Sequence, residues 1–514
     1  MKKRDIIGLL FATWGACLPV YAQTTVEQDT IERRIRQYTV DNPMWLEKSV
    51  SPRYSLIQLG YSQISGEYRA AQDAQKIKNI NFNSEGAVTI KDVRLWGRFA
   101  YNRSTEDSTR FAHQTRENPA SPWYFGSYGY NHYERINYLI QTRGQKYFAD
   151  RRYSVFGGLD YHVGNHFSNN DPRGTIDAIQ VNGSLGGSAH ITSEWELGAE
   201  GKYGYGQERV EIAYRNDQYA LSAVESPFMN YIVRGYGWKV SDWLNEKNMY
   251  YQNDMKRYGA KFYLSWDGHL GKFYGNIGYL QEVQRYRQTL RNDSRINELS
   301  KFNLDQLSYQ LLWNLKQSNR TYLVSFNSFI HSGKDRVIES GDAQNYVYRK
   351  KHHTLDFSYL VHNKKWQQLY EANIGYTNQL RHDGGTETRL DYDRLDYGLA
   401  TLFTYATARN QEFEFGLTAF MERNLGAAWT LPVINENVFH QYVFYHDVLY
   451  HQANVWGGKL RLGFMQRLRK SNYIKLTADY TYRKADQADA LDRMNLAPLG
   501  RTREEGSLRL SYGF

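Results

Sequence analysis

The last eight residues, Ser507–Phe514, read SLRLSYGF and alternate strictly between two kinds of side chain. Because successive side chains of an extended strand point to opposite faces, one face of this strand is apolar. That face carries Leu508, Leu510, Tyr512 and Phe514. Chain ends usually fray, so a terminal phenylalanine would contribute little to a soluble domain. The pattern therefore favours a final strand whose outer face meets lipid.

The same period-two pattern recurs along the chain. It is clear in VRLWGRFAY at 93–101, EFEFGLTAFM at 412–421, KLRLGFMQRL at 459–468 and YIKLTADYTY at 473–482. These segments match the roughly 9–11 residues that a tilted strand needs to cross a bilayer. We therefore predict an all-β fold, a transmembrane antiparallel β-barrel of about 18 strands within a range of about 14–20.

The connections between these segments are of two kinds. Short links are expected at 148–152, 192–194, 316–320, 363–365, 408–411 and 469–472, and long polar stretches at 104–133, 206–257, 331–350, 423–455 and 484–503. Short periplasmic turns and long extracellular loops are typical of outer-membrane barrels. A secreted sandwich of this length should contain linkers between smaller domains, and a solenoid should show a fixed repeat. The sequence shows neither feature.

The beginning of the chain indicates export. Lys2–Arg4 is a basic segment, Ile6–Ala16 is apolar, and a small-residue cleavage motif ends at Ala22. We interpret residues 1–22 as a signal peptide, with cleavage near Ala22 and an outer-membrane location in a Gram-negative envelope. The only cysteine, Cys17, lies within it. A lipoprotein, which would be cleaved just before that cysteine, fits the preceding residues poorly. The mature protein is thus expected to lack disulfides and thiolate metal sites, and no cofactor is predicted.

Composition agrees with a barrel. The 514 residues carry a formal net charge of +10 and are 15% aromatic, with 44 tyrosines. Mean hydropathy is −0.71. A membrane barrel needs apolar residues only at alternate positions, so a low mean hydropathy does not exclude it. Basic character can indicate nucleic-acid binding, but this location argues against such a partner. Outer-membrane lipid and lipopolysaccharide phosphates are the anions we expect instead.

Residues 23–52 precede the predicted barrel, which we assign to 53–514. A short helical pattern begins at Asp29 or Thr30 and places Ile31, Ile35 and Tyr38 on one face. The segment is too short for the plug domain of a TonB-dependent transporter. It could enter the barrel as a small hatch or remain outside as a periplasmic tether. The tether is favoured because short helices are marginally stable unless they dock.

The inner faces of the strands are expected to carry charges of both signs. The predicted lumen-facing residues are Arg94, Arg98, Glu412, Glu414, Lys459, Arg461, Arg467 and Lys475. The basic members near 459–475 could form an anion-selective constriction. They could equally serve as structural partners for the two glutamates on the preceding strand, and this is the favoured interpretation.

The terminal strand also resembles a known signal. Leu508, Leu510, Tyr512 and Phe514 resemble the C-terminal β-signal that the barrel-assembly machinery of Gram-negative bacteria reads. Together with the signal peptide followed by Gln23 and the motif DNPMW at 41–45, they make the chain similar to uncharacterised outer-membrane β-barrel families of Bacteroides-type bacteria. The resemblance implies an outer-membrane barrel that the assembly machinery inserts. It implies no substrate.

Two function classes remain open. The first is a channel for small polar or anionic solutes. The second is a non-conducting accessory barrel of a nutrient-uptake or surface-assembly complex, which would bind partner proteins or glycans through aromatic loops such as SPWYFGSYGYNHY at 121–133 and VRGYGWKVSDW at 233–243. These rings could also form the ordinary interfacial girdle. The pairs His382-Asp383 and His446-Asp447 are not ready dyads, because adjacent strand residues face opposite sides. No enzymatic activity and no catalytic or metal site is predicted.

Overall fold

The computed structural model describes residues 30–216, 218–219, 226–240, 249–290, 296–363, 365–407, 410–468, 472–486, 491 and 499–514. The predicted signal peptide with its cleavage point, Gln23 and the candidate helix cap Asp29 lie outside these residues. Among the described residues, no helix is both long enough and apolar enough to cross a membrane.

Eighteen antiparallel strands form one sheet that closes on itself, which confirms the predicted all-β barrel. Three further strands, β4, β9 and β10, form a separate small sheet. The strands are β1 (Tyr54–Gly66), β2 (Lys76–Ile90), β3 (Val93–Thr109), β4 (Trp123–Gly126), β5 (Asn131–Phe148), β6 (Tyr153–Ser168), β7 (Arg173–His190), β8 (Trp195–Ala213), β9 (Tyr231–Arg234), β10 (Trp238–Lys239), β11 (Met249–Gly268), β12 (Gly271–Leu290), β13 (Ile296–Lys316), β14 (Arg320–Val337), β15 (Tyr346–His362), β16 (Trp366–Asp383), β17 (Thr388–Ala406), β18 (Gln411–Thr430), β19 (Val455–Arg467), β20 (Tyr473–Ala485) and β21 (Thr502–Gly513).

The last strand closes the barrel against the first. β21 pairs antiparallel with β1 from Leu56↔Gly513 to Gly66↔Arg503. Phe514 extends this ladder, because its backbone N–H donates to Ser55 O at 3.0 Å and its carbonyl accepts from Ser55 N at 2.8 Å. Closure leaves no unpaired strand edge, which is a condition for spanning lipid.

The outer face of the barrel wall is apolar and exposed. Large outward side chains recur around the whole circumference: Leu59, Phe99, Ile140, Leu159, Leu185, Phe262, Leu311, Phe357, Leu399, Leu417, Leu462 and Leu510. Leu508 and Phe514 belong to the same surface. Polar and charged residues alternate with these and point inward, where many are buried. This is the apolar-out, polar-in pattern of a transmembrane barrel.

The two ends of the barrel differ in their connections. The turn end has links as short as 91–92 and 269–270, and it also holds the start of β1 and the end of β21. At the opposite end, the loop end, the strands run further than the sequence suggested. The long connections therefore shorten to 110–130, 214–248, 338–345, 431–454 and 486–501, while the connection at 384–387 is a tight turn. Cross-strand pairing continues beyond the length that lipid requires, which is why polar stretches predicted as loops are strands.

Residues 30–50 of the N-terminal segment lie inside the barrel. Helix α1 (Thr30–Val40), a 3₁₀ turn (Pro43–Trp45) and helix α2 (Leu46–Ser49) pack against inward-facing side chains of the wall. We call residues 30–50 the hatch. For these residues the structure shows a hatch inside the barrel, in place of the favoured tether outside it. The short helices are stable here because they dock through a buried apolar face.

The loop end is covered by folded loops. β4, β9 and β10 form a small antiparallel sheet, and the connection after β18 contains a 3₁₀ turn (Val433–Asn435), a π-helical turn (His440–Phe444) and helix α3 (Tyr445–Gln452). A further 3₁₀ turn spans Ile338–Ser340. We call residues 110–130, 226–240 and 431–454 the cap.

Candidate solute chamber and its two closures

A polar chamber of about 540 Å³ lies between the hatch and the cap. The hatch contributes Asp41 and Pro43, and the cap contributes 117–120. Inward side chains of the wall complete it: Arg143, Asp160, Gln180, Asn182, Ser184, Glu200, Lys202, Arg257, Glu282, Gln306 and His331. The volume is within the roughly 300–1,000 Å³ range of small-molecule pockets.

The charges of the chamber wall are largely balanced by each other. Arg143 Nη2 lies 2.8 Å from Asp160 Oδ1, and Arg257 pairs with Glu282. Glu200 is buried and accepts from Tyr263 through Oε2. Its Oε1 lies 3.9 Å from Lys202 Nζ and has no hydrogen-bond partner among the described residues. The wall thus offers hydrogen-bonding groups of both kinds without a strong excess of positive charge.

Two carboxyl groups face the chamber from its closures. Asp41 belongs to the hatch, and burial raises the pKa of its carboxyl, with the guanidinium of Arg143 acting in the opposite direction. Glu117 belongs to the cap, and its Oε1 lies 3.7 Å from His162 Nε2. A solute that donates hydrogen bonds would meet an acceptor on the hatch and another on the cap.

Trp45 fixes the hatch by apolar packing. Its buried ring stacks on Tyr38 at 5.4 Å and meets the wall residues Tyr263 and Tyr274 at 5.3 and 5.1 Å between ring centroids. Ile31 and Ile35 of α1 belong to the same buried cluster. Aromatic pairs of this kind add about 0.5–1.5 kcal/mol each beyond the area they bury.

Polar contacts attach the hatch at further points around the wall. Three basic side chains reach glutamates of the wall, in the pairs Lys48–Glu196 (2.6 Å), Arg36–Glu85 (3.2 Å) and Arg34–Glu371. In the reverse direction, wall side chains donate to the hatch, Arg143 Nε to Val40 O at 2.9 Å and Lys261 Nζ to Asn42 Oδ1 at 2.9 Å. Because Glu196 is fully buried, removal of Lys48 would leave a buried negative charge.

The cap is organised around an aromatic core. Phe439 is fully buried and contacts Phe111 at 5.3 Å, Tyr124 at 5.0 Å and Tyr236 at 6.0 Å. These rings come from three different connections of the barrel, so Phe439 joins the loops to one another. The indole of Trp123 donates to Ser300 Oγ of the wall at 2.8 Å.

Asp447 connects the cap by hydrogen bonds. Its Oδ1 accepts from the backbone N–H of Ala71 at 3.0 Å, and its Oδ2 accepts from the hydroxyl of Tyr236 at 3.1 Å. Burial raises the pKa of Asp447, and the guanidinium of Arg381 acts in the opposite direction. The carboxyl of Asp383 likewise accepts from the backbone N–H of Tyr236 at 2.9 Å. Neither aspartate has the neighbouring histidine as its hydrogen-bond partner.

The basic residues predicted near 459–475 all contact acids. Arg461 Nε and Lys459 Nζ lie 2.7 and 3.4 Å from Asp479 Oδ1. The remaining pairs are Arg467–Glu412 (2.6 Å) and Lys475–Glu414. Several of these residues surround a cavity of about 90 Å³ beside Arg36 of the hatch. The basic residues predicted from the sequence are therefore compensated by acids, while Arg33 of the hatch and Arg509 of β21 also line this cavity.

The other two predicted lumen residues lie nearby on the wall. Arg94 is buried and donates to Val50 O of the hatch, while Arg98 Nε donates to Asn83 Oδ1 at 2.6 Å. The assembly-signal residues lie on β21 and the residue after it, with Tyr512 accepting from Asn472 Nδ2 at 3.0 Å. Within the described part of the chain, no group of three or more His, Cys, Asp or Glu side chains could hold a metal ion.

The predicted aromatic binding surface is largely absent. Trp123, Tyr124, Phe125 and Tyr236 are buried in the cap, so their faces cannot stack on a glycan. They are buried because rings from separate loops pack together. Tyr130 and Trp238 stay exposed, and Trp243 lies outside the described residues. The chamber shared by Asp41 and Glu117 was not predicted from the sequence. It forms only because the hatch and the cap fold into the barrel from opposite ends.

The closed wall, its apolar outer face and its internal closures define a plugged β-barrel of the transmembrane type. The chain belongs to a family of unknown function, DUF6850, whose model matches residues 43–514. No curated protein is significantly similar in sequence.

Among solved structures, the chain is similar to the copper transporter OprC, with 10% identity, a TM-score of 0.42, and coverage of 90% of this chain and 81% of that chain. It is also similar to BauA, the ferric preacinetobactin receptor from Acinetobacter baumannii, with 10% identity, a TM-score of 0.41 and coverage of 90% and 80%. A FadL homologue from Pseudomonas aeruginosa shows 11% identity, a TM-score of 0.34 and coverage of 93% of both chains.

Proposed function

We propose that the protein is a gated outer-membrane channel for small polar solutes. The observation that carries this proposal is the chamber of about 540 Å³ between the hatch and the cap, inside a closed barrel. A purely structural interior would be filled by side chains, whereas this one leaves a ligand-sized polar space that touches both closures. Passage then requires the hatch and the cap to open, so the channel is gated. No catalytic step is part of the proposal.

The chamber favours uncharged or amine-bearing polar solutes over anions. The cations of the wall are paired with acids, while Asp41 and Glu117 present acceptors from the two closures. The basic stripe that suggested anion selectivity is compensated by Asp479, Glu412 and Glu414. Fixed charges that are paired at hydrogen-bond distance create little net potential for steering an anion.

The orientation follows from the ends of the barrel. We place the turn end and the hatch on the periplasmic side and the cap outside, because Sec export delivers the chain from the periplasm and short turns belong there in such barrels. The apolar outward surface would contact membrane lipid. The terminal strand, which closes the ladder with β1, would serve as the signal for the barrel-assembly machinery.

Solute uptake into proteoliposomes tests the channel. Ser184 lines the chamber, so Ser184→Trp should obstruct it, whereas Ser184→Ala serves as the matched control. We expect the wild type and the alanine variant to admit monosaccharides faster than trisaccharides, and the tryptophan variant to admit both slowly. Equal uptake by the tryptophan and alanine variants would show that solutes do not cross through the chamber.

A second candidate is the non-conducting accessory barrel. Its support is a pair of exposed apolar side chains in the cap, Val433 and Ile434, which are 62% and 92% exposed. Adjacent apolar residues at the loop end could contact a partner protein. Absence of uptake in the wild type, together with capture of a partner that Ile434→Asp abolishes, would favour this candidate.

A further inference from the structure

Three basic residues stand in one row on the outside of the wall. Arg285 of β12 is the direct partner of Lys301 of β13, and Lys301 is the direct partner of Arg336 of β14. The side chains of all three point outward, as the exposed side chain of Tyr279 does. The buried side chains between them point inward. Like charges directly opposite each other destabilise a sheet unless another charge compensates them.

The row is part of a larger group on four adjacent strands. Lys334 of β14 and two residues of β15 also point outward near the loop end. We call Arg285, Lys301, Lys334, Arg336, Arg349 and Lys351 the cationic patch. With strands about 4.8 Å apart and residues about 3.3 Å apart along each strand, the patch covers roughly 15 by 20 Å.

The patch contains one outward carboxylate, Asp305 of β13, which accepts hydrogen bonds from Tyr279 and Gln281, and its cations have few ion pairs of their own. Arg336 pairs with Asp342 at 3.1 Å, and Lys301 has a distant contact with Glu298 at 3.9 Å. For the other four members, the described residues provide no ion-pair or hydrogen-bond partner to the side chain. Two outward arginines elsewhere on the wall are paired more closely, in the pairs Arg103–Glu134 (2.7 Å) and Arg389–Asp391 (2.8 Å). The six outward cations on these four strands therefore have two acidic ion-pair partners among the described residues.

The position of the patch identifies the kind of anion. Lys351 of β15 is the cross-strand partner of Ile330, and Ile330 is the partner of Leu307. Leu307 is in turn the partner of Tyr279, which belongs to the apolar surface. The patch thus begins at the edge of the lipid-facing surface and continues toward the loop end. An anion held there lies beside the membrane and outside the channel.

We propose that the cationic patch binds the phosphorylated sugar headgroup of lipopolysaccharide in the outer leaflet. Phosphate groups accept charge-assisted hydrogen bonds from arginine and lysine, and several phosphates on one headgroup can reach several strands at once. The bound headgroup supplies the negative charge that the opposed cations lack. This site is independent of the channel, because it lies on the other face of the wall.

Binding to purified protein in detergent tests the site. The variant is Lys301→Gln/Lys334→Gln/Arg336→Gln, and the matched control is Lys76→Gln/Lys78→Gln/Arg103→Gln, which removes three outward cations from β2 and β3. We expect the patch variant to bind lipopolysaccharide about tenfold or more weakly than wild type, and the control to bind like wild type. Equal binding by wild type and the patch variant, or an equal loss in the control, would overturn the proposal.

The wild type alone gives a second test that does not depend on the variant folding. Lipopolysaccharide should raise the thermal unfolding midpoint, whereas enzymatically dephosphorylated lipopolysaccharide should not. Inorganic phosphate at the same phosphate concentration should also leave the midpoint unchanged. Equal stabilisation by the dephosphorylated lipid would show that phosphate is not recognised, and equal stabilisation by inorganic phosphate would show a site for free anions instead.

Discussion

The hatch and the cap close the same chamber but are held in different ways. The hatch contacts the wall through the Trp45 cluster and separate polar pairs, and within the described residues it joins a barrel strand only through β1. Each cap loop is anchored to strands at both ends. The loops 110–130 and 226–240 share the small sheet, and all three loops contribute to one aromatic core. Separate side-chain contacts can break without unfolding a core. We therefore infer that the hatch is the movable closure and the cap the more permanent one.

Loosening the hatch should have the largest effect. Trp45→Ala removes a fully buried indole, a type of change that costs about 3–5 kcal/mol, so hatch docking should weaken by on the order of 100-fold or more. We expect a corresponding rise in the open fraction of single channels in planar bilayers, up to saturation. Trp366→Ala, which removes an exposed aromatic residue of the outer wall, is the control and should leave gating unchanged. A closed Trp45→Ala channel would place the main barrier in the cap.

Breaking the buried ion pair between Lys48 and Glu196 should have the second largest effect on the open fraction. Lys48→Met removes the close cationic partner of buried Glu196, which keeps contacts to Tyr147 Oη at 3.1 Å and His190 Nε2 at 3.6 Å, and should weaken docking by about 3 kcal/mol. Lys316→Met is the matched control, because Lys316 forms an exposed pair with Glu32 of α1 at 3.4 Å, worth at most about 1 kcal/mol. Comparable open fractions in the two variants would argue that buried charge does not hold the hatch.

A single methyl group should loosen the cap more moderately. Gly235 has φ of +68°, and a Cβ there would lie 1.8 Å from Asp383 Oδ2. Gly341 has the same φ, but a Cβ there meets no atom within 4 Å. Both alanine variants carry the backbone strain, and only Gly235→Ala adds a collision, expected to cost about 1–3 kcal/mol. Both variants are tested in the Trp45→Ala background under conditions where the open fraction is below its maximum. There Gly235→Ala should raise the conductance and Gly341→Ala should not. The reverse order would contradict the role of this contact.

Acid should loosen the cap and spare the hatch. Burial lowers the pKa of His440 to about 4 and of His113 and His446 to about 3, and it also lowers the pKa of His451. Because the unfolded loops bind protons more readily than these buried histidines, the histidines contribute full stability to the folded cap above about pH 6.5. That contribution is lost as the pH falls toward about 4. Asp447 acts in the opposite sense, because its raised pKa favours the folded cap in acid.

The histidines outnumber that aspartate, whereas residues 30–50 of the hatch contain no histidine. In the Trp45→Ala background, conductance should therefore rise between pH 7 and pH 5. A fall in conductance over the same interval would assign the dominant effect to Asp447 or to other carboxyls of the path.

The smallest effect is expected for ion selectivity at the basic stripe. Arg461→Gln/Arg467→Gln/Lys475→Gln should scarcely move the reversal potential in a salt gradient, because Asp479, Glu412 and Glu414 already compensate the three charges. The variant should instead lose stability, by on the order of 1–3 kcal/mol for each acid left without its partner in a poorly hydrated interior. A large shift toward cation preference would restore the anion-selective interpretation.

The barrel wall could be predicted from the sequence because its structure depends on local patterns along each strand. Alternation along each strand determined the faces, and the terminal strand indicated closure, so the barrel and its approximate strand number could be predicted. The two closures depend on contacts between distant segments. Trp45 is one tryptophan among 12, and nothing local to it predicts that it meets Tyr263 and Tyr274. In the same way, Trp123 and Phe439 appeared as loop residues, and only their packing shows that they form a core.

Thiol accessibility tests the contrast between the closures most directly. The only cysteine lies in the predicted signal peptide, so the processed protein should have no background reaction. Met44 of the hatch and Val233 of the cap are both essentially fully buried, which makes Met44→Cys and Val233→Cys a matched pair. In native protein without denaturant, the thiol at position 44 should react with a maleimide faster than the thiol at position 233. A faster reaction at position 233 would contradict the account and make the cap the closure that opens.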